Sequence, residues 1–503
     1  MEYIIIQAGG KGTRLGYLTK NKPKALVPVD NLPMIFHLFR KYPDKRFIII
    51  ADYQKAVLRK YLASFADIKY LVVEAEGTGT CSGIRQALGL IPSGQCFMLV
   101  WSDLILPEKL KLPEEFQTDF SNCPQRDYIG ISKTFPCRWS YQNRQFDEIR
   151  STEHGVAGFF LFHNKDKLSQ VPVSGELVRW MQSEQMEFEE ISLAGTREFG
   201  ILEEYRKLGC EKCRPFNRIT INGDRLKKEA VDEQGKGLAV RECAWYEKAK
   251  ENHIKILPRI DSTDPLTMEY IKGKNIYECT LSFPEKKEIL EKIVAALHML
   301  HQSDSIEADP FSMKEAYYRK TMKRLKKIED LIPFSREKTI IVNGKECRNI
   351  YFYQQELERK LEQLSCDRFY FIHGDCTFSN LMLRPDGTPV LIDPRGYFGY
   401  TELYGDIRYD WAKLYYSLAG NYDQFNLKDF QLDLGEREVS LQISSNHWED
   451  MEDEFFRMTG ADAEEIRLLH AVIWLSLTTY AWQDYDSVCG AFYNGIYYLE
   501  DVL

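Results

Sequence analysis

This chain has no long hydrophobic run. Across 503 residues no apolar stretch approaches the roughly 18 needed to cross a bilayer, so membrane insertion is not expected and a soluble, cytoplasmic protein is. The opening "MEYIIIQAGG" carries an acid at position 2 and a few apolar residues before a glycine turn, which predicts a buried strand rather than a secretion signal. Positive charge is not in surplus either: 66 Lys and Arg against 75 Asp and Glu leave a net charge of −9. General nucleic-acid binding is thereby disfavoured, because neutralising a phosphate backbone takes an excess of cations. Any phosphate binding must be local. Low-complexity tracts are absent, and 44% hydrophobic with 28% charged residues is a globular balance. The 12 cysteines are scattered, mostly in apolar segments, which fits reduced thiols better than a disulfide framework. The one close pair, "CEKC" at 210–213, lacks a second Cys or His pair and so does not complete a tetrahedral zinc site.

The length exceeds one ordinary core and predicts at least two domains. Residues 1–213 alternate Ile- and Val-rich strands ("YIIIQA", "RFIIIAD", "IKYLVVEA", "CFMLVWSD") with amphipathic helices ("PMIFHLFRKY", "AVLRKYLASF", "GIRQALGL"). That alternation predicts βαβ units and a Rossmann-like, mostly parallel sheet, with ligands at the carboxyl ends of the strands. From residue 214 the alternation stops. A hairpin at Asn222-Gly223-Asp224, a strand carrying Lys228, a helix carrying Glu242 and a further strand pair make a small lobe over about 214–275, and long helical patterns fill 276–503.

In the first half, "AGGKGTR" follows strand one. Gly9, Gly10 and Gly12 let backbone amides approach a triphosphate, Thr13 follows, and Lys11 and Arg14 add charge. "NKPKALVPV" supplies Lys22 and Lys24 beside Pro23; its bland reading is a solvated lysine pair. In "EAEGTGTCSG" the small residues Gly77, Thr78 and Gly79 suit a base or ribose. "LVWSDLILP" ends a buried strand with Asp103, a carboxylate that needs a cationic partner, with magnesium between phosphates the natural one; the alternative is a helix cap.

Together these stretches resemble the nucleotidyltransferases that make NDP-sugars and CDP-alcohols, over residues 1 to about 210. The resemblance implies attack of a phosphorylated acceptor on the α-phosphate of an NTP, with CTP the expected nucleotide, and release of pyrophosphate. Arg14 would stabilise the triphosphate, Lys24 would orient the acceptor phosphate and Asp103 would hold Mg2+. The family carries a second metal-binding Asp before a later Gly-Thr, but "ISLAGTREFG" has Leu193 there; either Glu189 or Glu190 substitutes, or one carboxylate serves, or this half is weakened. "HGVAGFFLFH", 154–163, is similar to the family's acceptor strand.

In the second half, "HGDCTFSN" sets Asp375 in a tight loop with Asn380 five residues on, and "VLIDPRG" adds Asp393 after an apolar strand. A base and two metal-binding groups at these spacings suit phosphoryl transfer. The pattern resembles the aminoglycoside phosphotransferase and choline kinase superfamily, a bilobal α+β kinase-like fold, over about 214–420. It implies Asp375 as the base for the acceptor hydroxyl and Asn380 and Asp393 as Mg2+ ligands. It also implies Lys228 on the ATP phosphates paired with Glu242, and adenine near Glu269 to Ile271. A Gly-rich loop is missing, and Lys227 replaces Lys228 if the strand register slips by one. Asp406 and Asp410 read as braces for the catalytic loop. The basic run "YRKTMKRLKKIED" reads as a solvated helix face rather than a nucleic-acid patch.

Joined, the halves suggest a bifunctional enzyme that phosphorylates a small alcohol or sugar with ATP and couples the product to NMP, yielding an NDP-activated precursor for cell-surface polysaccharide. The aromatic stretches "RGYFGYTELYGD", "WAKLYYS" and "YAWQDYD" keep a choline-type acceptor as the alternative, through cation–π attraction, against plain core packing. A sensor with an inactive first half is the reading of another class. Small-molecule acceptor and nucleotides are the expected partners; no oligomeric state is implied.

Overall fold

Strands of Ile and Val buried on both faces organise the first of two units in the computed structural model, which describes residues 1–117, 126–200, 202, 205, 217–231 and 233–503. The units are Met1–Gly209 with Gln483–Tyr485, and Cys210–Trp482 with Asp486–Leu503. The expected boundary at 213/214 and the Cys210 and Cys213 pair lie outside the described residues.

The first unit is built on seven strands: β1 (Tyr3–Gln7), β2 (Arg46–Ala51), β3 (Lys69–Glu74), β4 (Phe97–Trp101), β5 (Tyr128–Ser132), β6 (Gly155–Phe162) and β7 (Glu189–Ser192). They lie in the order β3-β2-β1-β4-β6-β5-β7, and a short hairpin, Ser140–Gln142 with Gln145–Asp147, joins β6 at Gly155. The pairs β3–β2, β2–β1 and β1–β4 are parallel; β6 runs antiparallel to its neighbours. β1 steps one way to β2 and β3 and the other way to β4, which makes the β1/β4 boundary a topological switch point. At such a point the loops diverge and leave a crevice at the carboxyl ends. Helix α1 (Met34–Lys41) turns Met34, Ile35, Phe36, Leu38 and Phe39 inward. At about 1.5–3 kcal/mol for each large apolar side chain fully buried, stripes of this kind hold helices to the sheet.

The second unit begins with an antiparallel sheet of β8 (Asn217–Asn222), β9 (Arg225–Ala230), β10 (Ile260–Thr263) and β11 (Leu266–Glu269), in the order β8-β9-β11-β10. Gly223, at φ +65°, turns the hairpin. Helix α2 (Glu233–Glu251) packs behind β9. The helical part contains α3 (Phe283–Ser303), α4 (Lys320–Ile328), α5 (Ile407–Leu418) and α6 (Ala463–Leu477). α3 starts at a reciprocal cap between Ser282 and Glu285, with Pro284 at the first turn, so the orphan amides there are satisfied locally. Its Ile293, Leu297 and Leu300 share a core with Trp411 and Leu414 of α5. The expected α/β class, a Rossmann-like unit followed by a bilobal kinase-like unit, is what the chain adopts. No helix among the described residues is long and apolar enough to cross a membrane.

Candidate functional site

The strands at the switch point end in the residues singled out from the sequence. β1 leads into Gly9, which packs on Asp52, and Gly10, which faces open space. Gly12 has a φ of +65°, a conformation glycine adopts without steric cost, and it starts the short turn Thr13–Thr19. That turn leaves Thr13 and Arg14 exposed while Leu15 is anchored beside Val27, Met34 and Phe199.

Lys22 and Lys24 both turn inward, so the lysine pair is not a solvated one. Lys22 lies 2.8 Å from Asp484 Oδ1 within the same unit. Lys24 forms an ion pair with Asp103 Oδ2 and sits 3.9 Å from Glu198 Oε1. Asp103 caps no helix: the chain continues as a strand, Leu104–Ile105, which pairs with Arg197–Glu198 and sets Glu198 opposite Leu104. Arg14 joins them, since a Cβ added to Gly200 would stand 2.1 Å from Glu198 Oε1 and 3.3 Å from Arg14 Nη2. Arg14, Lys24, Asp103 and Glu198 therefore form one cluster past the carboxyl end of β4.

No carboxylate stands at position 193, but one stands near Asp103 across Lys24. Leu193 is buried in the core. Glu189 pairs with Arg144 at 3.1 Å, and it and Glu190 lie on β7 beside β5. Glu198, five residues past Leu193, is the acid beside Lys24, and the sequence reading passed over it. Asp103 Oδ1 is buried with no hydrogen-bond partner among the described residues. An orphaned carboxylate oxygen is costly, and with a second carboxylate nearby it fits a magnesium ion shared with phosphates, which takes one or two protein carboxylates. Among the described residues no group of three or more His, Cys, Asp or Glu could hold a metal by itself.

Gly77 and Gly79 lie under the backbone of Val173 and Gly175, where no side chain fits. The amide of Gly77 donates to Ser82 Oγ and that of Thr78 to Ser174 Oγ, at 2.9 and 3.0 Å, so these residues offer a nucleotide a wall rather than two free donors. In β6, Gly158 packs on the Trp101 ring, bringing the small-residue end of this strand to the end of β4.

In the second unit Lys228, on β9, reaches Glu242 Oε2 on α2 and Asp393 Oδ1, each at 2.7 Å. Lys227 turns away and pairs with Glu229, so the register favours Lys228. Burial works against the charged ammonium, but Asp393 and Glu242 more than offset it and hold Lys228 above the usual lysine range. Burial, with Asp393 second, pushes the Glu242 carboxyl up. Asp393 has a φ of +53°, a strained conformation for a non-glycine residue at the turn after an apolar strand. Asn380 Nδ2 donates to the Asp375 carbonyl at 2.7 Å and to its carboxylate at 3.3 Å. Lys413, not singled out from the sequence, lies 2.9 Å from Asp375 Oδ1. Asn380, Asp375 and Asp393 are oxygen donors of the type magnesium takes with nucleotide phosphates. Glu269 is clamped by Arg384 at 2.5 and 2.9 Å, and that hydrogen-bonded pair holds its carboxyl down to about 2.

Asp410 ties down the loop that leads into Asp375. It accepts the amides of His373 and Gly374 at 2.9 and 2.7 Å and lies 3.0 Å from His301 Nε2. Burial raises its pKa, yet His301 and those partners hold it below the ordinary carboxylate value. Asp406 caps α5 through Arg408 N and takes Tyr317 OH at 3.0 Å. Both acids are braces. The basic run is solvated only in part: Lys323, Lys326 and Lys327 face solvent, but Lys320 and Arg324, one turn apart on α4, are half-buried against Tyr409 and Tyr480.

Comparison with known proteins follows the same division. Residues 4–112 match the family described as the MobA-like NTP transferase domain, and residues 244–438 match the phosphotransferase enzyme family. The bifunctional protein GlmU of Methanococcus maripaludis is 28% identical over 131 residues, 25% of this chain and 31% of that protein. The D-glycero-alpha-D-manno-heptose 1-phosphate guanylyltransferase of Campylobacter jejuni is 32% identical over 118 residues, covering 22% of this chain and 52% of that one. Among solved structures, choline kinase LicA from Streptococcus pneumoniae aligns with a TM-score of 0.36 and 16% identity, over 59% of this chain and 97% of that one. The chain spans about a third or less of the GlmU relatives' length.

Proposed function

We propose, for a chain that joins a nucleotidyltransferase segment to a phosphotransferase segment, a bifunctional enzyme of activated-precursor synthesis. The unit from about residue 214 onward phosphorylates a small alcohol or sugar with ATP. The unit of residues 1–213 transfers NMP from an NTP, with CTP the preferred one, to the phosphate so made and releases pyrophosphate. The product is an NDP-activated building block for cell-surface polysaccharide, made in the cytoplasm.

In the second unit Asp375 accepts the proton of the acceptor hydroxyl. Asn380 fixes its loop, and Lys228, steered by Glu242, binds the ATP phosphates. In the first unit the attacking phosphate is already anionic, so no protein base is needed; Lys24 orients it, and Arg14 balances charge on the triphosphate. Magnesium, held by Asp103 with Glu198 in one site and by Asn380 with Asp393 in the other, would neutralise phosphate charge when bound.

The observation that carries this reading is the cluster of Arg14, Lys24, Asp103 and Glu198 at the switch point, together with the Lys228–Glu242–Asp393 network near Asp375. The test is pyrophosphate release with CTP, GTP and UTP against a panel of phosphorylated acceptors, alongside ADP release from ATP. Asp375→Ala is expected to abolish phosphorylation and to spare nucleotidyl transfer. Nucleotide binding without pyrophosphate release from any pair would make the first unit a sensor instead.

A further inference from the structure

We infer that the alcohol phosphorylated by the second unit itself carries an oxyanion, a carboxylate or a phosphate ester, and that Lys320, Arg324, Arg395 and Lys413 form its subsite beside Asp375. The inference rests on the phosphotransferase reading above and adds the charge of the acceptor to it.

Lys320, Arg395 and Lys413, from three separate stretches of chain, meet around Tyr409, Lys413 also reaching the proposed base, and Arg324 lies one helical turn from Lys320. Lys413 Nζ lies 2.9 Å from Asp375 Oδ1. The Tyr409 ring has Lys320 Nζ at 6.0 Å and Lys413 Nζ at 5.9 Å from its centroid, and its hydroxyl accepts a hydrogen bond from Arg395 Nη1 at 2.9 Å. Arg324, one helical turn after Lys320, lies 5.9 Å from the Tyr480 centroid and donates to Ser476 Oγ at 2.8 Å. Among the described residues, no carboxylate lies within 4.0 Å of the cationic nitrogens of Lys320, Arg324 or Arg395. The nearby acid Glu315 accepts the Tyr400 hydroxyl at 3.0 Å. Asp375 pairs with Lys413 and also acts on Arg395, where burial works against the guanidinium but Tyr409, Tyr397 and Asp375 more than offset it; among the described residues Lys320 and Arg324 are left without a carboxylate partner of this kind.

Half-buried like charges gathered in this way repel one another and have lost part of their hydration. Burial, then Arg395, Arg324 and Lys413, push the Lys320 ammonium well below the usual lysine range, with Glu315 opposing. In a chain of net charge −9, such a cluster has a natural partner in a bound anion. A planar guanidinium pair with two ammonium groups provides the donors that a carboxylate or phosphate oxygen set accepts. The same contacts work against a quaternary ammonium. The rings that would have to cage it already carry the protein's own cations: Arg241 and Arg395 over Tyr397 at 4.7 and 5.1 Å, Lys413 over Tyr416 at 5.4 Å, and Arg324 over Tyr480. A choline-type headgroup there would meet occupied faces and like charge.

The test uses the full chain with saturating ATP and follows ADP release with four acceptor classes: choline, neutral sugars and polyols, aldonic acids, and sugar monophosphates. Turnover is expected with an anionic class, and which of the two responds identifies the oxyanion. Inorganic sulfate is expected to compete with that acceptor and not with ATP, a measurement on the unsubstituted protein. Lys320→Gln and Arg324→Gln are each expected to raise the acceptor KM at least tenfold while the ATP KM moves less than twofold. Turnover of choline or a neutral sugar, indifferent to sulfate, overturns the inference and leaves the phosphotransferase reading standing. ATP binding with no ADP release from any class overturns that reading, and this inference with it.

Discussion

Replacing Lys228 with Met tests the charge network of the second unit. The substitution removes the cation that sits 2.7 Å from both Glu242 and Asp393 and leaves a side chain of similar volume. The two acids are not equally placed: the side chain of Asp393 is 46% exposed and that of Glu242 7%. Asp393 can be rehydrated, so the penalty falls on Glu242. An unpaired buried carboxylate costs about 3–5 kcal/mol, but Glu242 has a cheaper escape in taking a proton, a direction in which burial already drives it. Holding neutral a carboxyl with an ordinary pKa of 4.5 costs 2.303RT for each pH unit above that value, about 3.4 kcal/mol at pH 7 and about 1.4 at pH 5.5. The raised folded pKa means the folded variant binds the extra proton, so its stability deficit must grow with pH and shrink in acid. The expected loss is about 3 kcal/mol at neutral pH, read from unfolding of the second unit through its buried Trp245, Trp411, Trp448 and Trp474. Adding Glu242→Gln should recover most of that stability, yet phosphotransfer should stay depressed by about 10²–10³-fold because the cation proposed to bind phosphate is gone. A deficit that is flat from pH 5.5 to 8, or a double variant no more stable than Lys228→Met alone, would refute the reasoning.

Glu198→Gln is expected to raise the magnesium requirement of nucleotidyl transfer about tenfold, a loss of about 1.4 kcal/mol, and to weaken magnesium binding by calorimetry in the presence of CTP. Glu189→Gln should change neither; equal effects would remove Glu198 from the site. His470 gives a pH prediction of a different kind. Burial drives its pKa down to about 3, and its Nε2 accepts a hydrogen bond from Trp474 Nε1 at 2.9 Å, so the folded ring is neutral. The unfolded ring gains a proton near 6.5, so stability is full above that pH and declines as pH falls toward 3, by about 2 kcal/mol at pH 5. His470→Gln should flatten the slope between pH 6.5 and 4 in thermal melts, and an unchanged slope would show that His470 does not contribute it.

Both candidate sites were legible where their motifs are local in sequence. The glycine loop and the Asp375–Asn380 stretch are set by a few consecutive backbone angles, which residue types reveal directly. Glu198 was hidden because it reaches Lys24 through the pairing of two two-residue strands, Leu104–Ile105 with Arg197–Glu198, too short to leave a periodic pattern. The lack of a carboxylate at Leu193 was plain to see; the acid near Asp103 was not. The run from Tyr318 to Asp330 misled for another reason. Its composition is that of a solvated face, but Lys320 and Arg324 are four apart and share a side of α4, and that side turns inward beside α5 and α6. Spacing marks the two as neighbours without giving the direction in which they face.

Under the proposed function the two sites differ because their nucleophiles differ, and pH–rate profiles would expose the difference. A phosphate monoester is a dianion above its second pKa of about 6, so the proposed first site needs charge and placement, from Lys24 and Arg14 with Asp103 and Glu198, rather than a base. An alcohol stays protonated at every physiological pH, so the proposed second reaction needs a base, the role proposed for Asp375, which Asn380 and Lys413 contact. The acidic limb of nucleotidyl transfer should therefore belong to the acceptor. It should lie near pH 6 and move when the phosphate ester is exchanged for a phosphonate of different acidity. Lys24→Arg should lower the rate without moving that limb. For phosphotransfer the limb belongs to the enzyme, so it should hold still when the alcohol is changed and move when Asp375 becomes Glu. Crossed behaviour, with the limb of the first reaction fixed by the protein or that of the second by the acceptor, would mean that the roles of charge and base have been assigned to the wrong sites.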